Sequence, residues 1–218
     1  MGEGGRIDDY FTKSGRSSVS DFLDSFFLHN WGPNGARMLA DQVQSKQPTA
    51  VGFKLKYQQL DKYPEILPYL REHKIKIIHL IRRNLLASII SAEMVPEMLA
   101  RFRHANLSKS TRLDGLSLSV SLDSSTIVAQ LSALEYLIDK SKAVIAGLPT
   151  IEVTYEDLIQ SPTKTNRSIL RFLGIDPRGT LKSKYRKIMP NLPKDGIRNI
   201  GQIREILGQT RFARYLDE

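Results

Sequence analysis

With 218 residues, 41% of them hydrophobic, the chain is long enough for one α/β domain with a full core. It has no cysteine, which excludes a disulfide framework, a thiolate nucleophile and a cysteine metal site, and its four histidines have no ligand spacing, so no metal is expected. A net charge of +9, from 32 Lys plus Arg against 23 Asp plus Glu, attracts polyanions. The basic residues are scattered, however, and no zinc finger or RNA-binding aromatic signature accompanies them, so an anionic nucleotide or acidic saccharide ranks above nucleic acid.

Residues 1–16 form a polar, glycine-rich start without a signal-peptide core, and no later run approaches a membrane span, so a cytoplasmic protein is expected. Ser17 to Asn30 reads as a capped amphipathic helix with Val19, Phe22, Leu23, Phe26 and Phe27 on its apolar stripe. Gly32 to Asn34 breaks it, and Gly35 to Lys46 resumes as a second helix. Thr49 to Leu55 reads as a strand with Lys54 and Lys56 at its carboxyl end, and Pro64 and Pro68 punctuate the helical stretch that follows.

Ile75 to Ile81, IKIIHLI, is short and β-branched enough to predict a strand buried on both faces, with His79 as a satisfied core residue. Arg82 and Arg83 follow at once. Asn84 is then a good N-cap for a helix whose apolar residues Leu85, Leu86, Ile89, Ile90 and Met94 recur at helical spacing, with Ser91 two turns in. Residues 101–124 read as an irregular insertion, either a substrate-contacting segment or a surface loop. Ser125 to Ala146 predicts a long helix, Thr150 to Thr154 a further strand ending at Tyr155, and Pro162 and Gly174 bound the next helix. The tail, residues 178–218, is basic.

A strand that empties into a helix through a pair of arginines suits an anion. The helix amino terminus offers N–H groups and partial positive charge, guanidinium forks phosphate oxygens, and ligands of open parallel sheets collect at this carboxyl edge. The same pattern also serves as a solvated surface turn.

HLIRRNLLASIIS resembles the sulfotransferase segment that binds the 3'-phosphate of 3'-phosphoadenosine-5'-phosphosulfate (PAPS), in which a strand and Arg-Asn precede a Ser eight residues beyond the Arg, as Ser91 follows Arg83. About 60 residues further on, IEVTYEDLIQSPTKTNRSILRFLGID is similar to that family's strand, Tyr-Glu-Asp-Leu, proline-started helix and Phe-Leu-Gly ending. The resemblance spans Val51 to Leu216, is to the bacterial carbohydrate type, and implies a single α/β domain over residues 1–218: a parallel sheet flanked by helices in a P-loop-NTPase-like sulfotransferase fold.

It also implies a set of roles. Arg83 and Ser91 would hold the 3'-phosphate, Tyr155 would lie against the adenosine, and Lys54 would face the cleft, the alternative for Lys54 being a solvated strand end. Lys194 and Arg198 in the closing tail are further candidates for the 3'-phosphate, or residues of a solvated face. The family opens with a strand and a glycine- and serine-rich loop that holds the phosphosulfate. TKSGRSSVSDFL has the residue types of that loop, whereas GRIDDYF looks like the stretch that follows it, with Asp9 in the place of a catalytic glutamate.

On the second alignment the loop strand is missing from the middle of the sheet. The gap would be filled by a neighbouring chain, by direct pairing of the flanking strands, or by an omitted amino-terminal piece, since unpaired buried edges cost about 1–3 kcal/mol per group. The expected activity is transfer of a sulfuryl group from PAPS to a carbohydrate or glycolipid hydroxyl. The alternative is a catalytically silent nucleotide- or polyanion-binding module of the same fold. Expected partners are the nucleotide cosubstrate and the acceptor, with a second copy of the chain as a further candidate.

Overall fold

The computed structural model describes residues 15–27, 50–103, 107–109, 118–179, 183 and 196–217. The chain divides into two compact units. Unit 1 takes Met1–His79, Ala143–Glu152 and Lys164–Gly179; unit 2 takes Leu80–Lys142, Val153–Thr163 and Thr180–Glu218. The architecture is mixed α/β. Among the described residues the only sheet is two-stranded and parallel, with β1 (Ile77–Ile81) hydrogen-bonded to β2 (Thr150–Thr154).

In unit 1, α1 (Val19–Phe27) starts where Ser18 Oγ accepts from the amide of Asp21 at 3.1 Å. It buries Val19, Phe22 and Leu23 in a cluster with Ile66, Tyr69 and Leu70. The helix expected at Gly35 to Lys46 lies outside the described residues. Helices α2 (Tyr57–Lys62) and α3 (Ile66–Glu72) flank Pro64, whereas Pro68 sits in the first turn of α3, where a missing N–H costs the helix nothing.

The strand expected at Thr49 to Leu55 does not form over its described part. Residues 50–55 alternate between exposed and half-buried as a strand would, yet they join no ladder. Period-two burial without a neighbouring strand to bond is only an extended connection.

The first strand begins at Ile77, two residues later than Ile75. The amide of Ile75 is already spent on Leu70 O at 2.9 Å, closing α3, and only Ile77 N turns outward to Pro149 O at 2.8 Å. Nor is β1 buried on both faces. His79 is buried and bonded from Nε2 to the Tyr57 hydroxyl at 3.0 Å, while Ile78 and Leu80 are 41% and 52% exposed. Residues on one face of a strand share their environment, and among the described residues this face is left about half exposed.

Unit 2 holds its own core. Helices α4 (Leu85–Glu93), α5 (Val95–Phe102) and α6 (Ile127–Val144) contribute Leu86, Ile90, Met98 and Leu131, all essentially inaccessible. After β2 come α7 (Tyr155–Gln160) and then α8 (Pro162–Leu173), which belongs to unit 1 from Lys164 onward and is bounded by Pro162 and Gly174 as the sequence predicts. The chain closes with α9 (Ile200–Gly208) and a 3-10 helix, Arg211–Leu216, which add Ile203, Leu207 and Phe212 to the same cluster.

Part of the irregular insertion is pinned rather than free. Val120 bridges Ile197 in parallel, and the Asn199 side chain both accepts from Leu122 N at 3.0 Å and donates to Leu122 O at 2.8 Å. Among the described residues no helix is long and apolar enough to cross a membrane.

Candidate functional site

Where β1 ends, the chain leaves its ladder at Arg82 and bends at Arg83 before α4 begins. Asn84 is the N-cap, its Oδ1 accepting from Ala87 N at 2.8 Å. Its Nδ2 donates to the Tyr215 carbonyl at 3.0 Å, so the closing 3-10 helix is tied to the turn.

Strand β2 ends in the same unit with Thr154 as N-cap, Oγ1 accepting from Asp157 N at 3.1 Å. That cap turns Tyr155, Glu156 and Asp157 into the first turn of α7. The two strand ends therefore bring two guanidiniums, an aromatic ring and two carboxylates together.

The guanidinium that reaches Ser91 is that of Arg82, one residue before the one that spacing selects. Arg82 Nη1 donates to Ser91 Oγ at 2.9 Å and to Ala87 O at 3.0 Å, and its carbon lies 4.6 Å from the centre of the Tyr155 ring. A guanidinium over a tyrosine face is attracted by the ring quadrupole. Its Nε is buried without a hydrogen-bond partner. Burial pushes the Arg82 pKa down from the ordinary value, and Tyr155 and Glu156 oppose the shift.

Arg83 faces the acids instead. Its Nη2 donates to Asp157 Oδ1 at 3.0 Å, with Nε 3.8 Å from Glu156 Oε2, and half of the side chain remains exposed. Glu156 also accepts from the backbone, taking the amide of Arg83 at 3.0 Å on Oε2 and that of Asn84 at 3.3 Å on Oε1. The turn is thus a compact set of alternating charges whose neutral members, Ser91 and Tyr155, both contact Arg82.

Of the other candidates, Lys54 and Arg198 lie among the described residues. Lys54 is exposed in the extended segment of unit 1. Arg198 donates to Ser119 O at 2.9 Å and to Ser121 Oγ at 3.1 Å, so its guanidinium is engaged in pinning the insertion. Asp9 and Lys194 lie outside the described residues. Among the described residues no group of three His, Asp or Glu side chains is placed to hold a metal ion.

The sequence reading placed Arg82 in the turn and Glu156 and Asp157 in a motif but gave none of the three a role. Two signals pointed to them: the doubled arginine at a strand end, and a pair of acids directly after the next strand. No family model, curated protein or solved structure matches the chain.

Proposed function

We propose that the turn after β1 is the 3'-phosphate subsite of a sulfotransferase-like protein that binds PAPS. The observation that carries this reading is the Arg82 guanidinium held between Ser91 Oγ and the Tyr155 ring, with Arg83 beside it. The arrangement supplies what a ribose-attached phosphate needs: bidentate cationic donors, a hydroxyl and an aromatic surface. The P-loop-like sulfotransferase fold is part of the same proposal, supported by the motif resemblance and by a parallel strand pair with helices following both strands.

In the transfer reaction, Asp9 takes the proton from a carbohydrate or glycolipid hydroxyl as that oxygen attacks sulfur in line. The bond from sulfur to the bridging oxygen breaks, and its electron pair leaves with the 3',5'-bisphosphate. On the resemblance, a lysine, for which Lys54 is the candidate, or backbone N–H groups stabilise that departing charge.

A second reading, a catalytically silent 3'-phosphate-binding module, is favoured by one observation. Strands β1 and β2 hydrogen-bond directly to each other, in the place where the resemblance puts a further strand.

Calorimetry tests the shared part of both readings. The full chain should bind 3'-phosphoadenosine-5'-phosphate more tightly than the 5'-monophosphate, with the preference lost in Arg82→Ala and weakened in Arg83→Ala. Equal affinity for the two nucleotides would refute the subsite. Release of labelled sulfate onto an oligosaccharide then separates enzyme from silent binder.

A further inference from the structure

Glu156 carries an anion into the position that a strand-to-helix turn ordinarily offers to a ligand. Its two carboxylate oxygens each take one of two consecutive amides, Arg83 N and Asn84 N, at 3.0 and 3.3 Å. A phosphate reaching such a turn would use two oxygens in the same way. Beside it, Asp157 holds the Arg83 guanidinium at 3.0 Å. Two carboxylates therefore face two guanidiniums, and the local charge of the turn sums to zero before any ligand arrives. The Glu156 side chain is 21% exposed, so its charge is less screened by solvent than that of a surface carboxylate.

We infer that Glu156 is an internal counter-anion that closes this turn to ligands and sets its affinity for them. A phosphate gains the two backbone amides only when this carboxylate withdraws, and until then it meets side chains alone. Position makes the contact persistent. Glu156 lies in the first turn of α7, whose start is fixed by the Thr154 cap, and an acid there is itself stabilised by the helix dipole. The nature of the ligand rests on the reading given above; the competition between Glu156 and an anion does not.

The test compares wild type, Glu156→Gln and, should the glutamine variant fail to fold, Glu156→Ala, which removes the same charge without an amide side chain. Amide shifts of Arg83 and Asn84 are followed by NMR during titration with 3'-phosphoadenosine-5'-phosphate and, separately, with inorganic phosphate. The expected result is about tenfold tighter nucleotide binding in the variant, as removal of a close like charge demands. Both amides should respond to either anion in the variant and stay still in wild type.

Unchanged or weaker binding in the variant, or equal amide responses in both proteins, would overturn the inference. If neither protein binds the nucleotide, the functional reading fails alone. The phosphate titration still decides for Glu156, because amides that move only in the variant support the competition and an identical response, including none, refutes it.

Discussion

Asn84 shows how much one side chain can hold. Buried to 5% exposure, it spends its oxygen on capping α4 and its amide nitrogen on the Tyr215 carbonyl. Aspartate is as good an N-cap as asparagine, but it has no donor and would set a carboxylate oxygen against a carbonyl. Asn84→Asp should therefore lose about 1–3 kcal/mol in urea denaturation, and Asn84→Ala, which also loses the cap, at least as much. An aspartate variant as stable as wild type would show that the tie to Tyr215 contributes nothing. The cap itself was legible in the sequence, since Asn before an apolar helical period has that local meaning. Its second bond was not, because Tyr215 is remote in the chain. The same limit explains the exchange of Arg82 for Arg83: spacing counts residues, but the bend at Arg83 and the acids of α7 decide which guanidinium points where.

Two helix ends in unit 1 are built alike from different residues. At the end of α3, Lys74 N bonds Arg71 O at 3.2 Å and Ile75 N bonds Leu70 O at 2.9 Å; at the end of α8, Gly174 N bonds Arg171 O at 3.0 Å and Ile175 N bonds Leu170 O at 2.8 Å. Both are Schellman endings, with the left-handed residue at φ 49° for Lys74 and 81° for Gly174. Only one has the residue this backbone favours. Lys74→Gly should stabilise the protein by about 0.5–1 kcal/mol and Gly174→Ala destabilise it by about 1 kcal/mol. A methyl group at position 174 would meet nothing closer than Lys76 Nζ at 3.7 Å, so the loss is conformational rather than steric. Thermal denaturation of both variants measures the pair, and changes of the same sign would contradict the argument. The Gly174 ending announced itself in the sequence and the Lys74 ending did not, which is why β1 was expected two residues too early. The extended segment after Ala50 failed for the opposite reason, since its alternating pattern was correct but a strand also needs a partner that no local pattern specifies.

At the scale of the molecule, two apolar clusters share no residue, one built on Leu23, Ile66 and Leu70 and the other on Leu86, Leu131 and Leu207. Neither division nor membership follows from hydrophobic periodicity, which marks a buried face without saying which core it joins. The net charge of +9 acts at this scale too, and it separates diffuse attraction from a defined subsite. Scattered cations release counterions from a polyanion, so affinity for duplex DNA should fall at least about tenfold between roughly 50 and 200 mM salt. The proposed preference for a 3'-phosphate is a different quantity, being a ratio of two nucleotide affinities set by groups in contact with the ligand. Arg82 is partly buried, and a contact within hydrogen-bond reach lies well inside a Debye length of about 8 Å at physiological ionic strength. Fluorescence titration over the same salt range should therefore show both nucleotide affinities falling while their ratio changes by less than about threefold. A ratio that collapses with salt would mean that the 3'-phosphate feels only the general field of the protein, and DNA affinity indifferent to salt would mean that this field is not what draws polyanions to it.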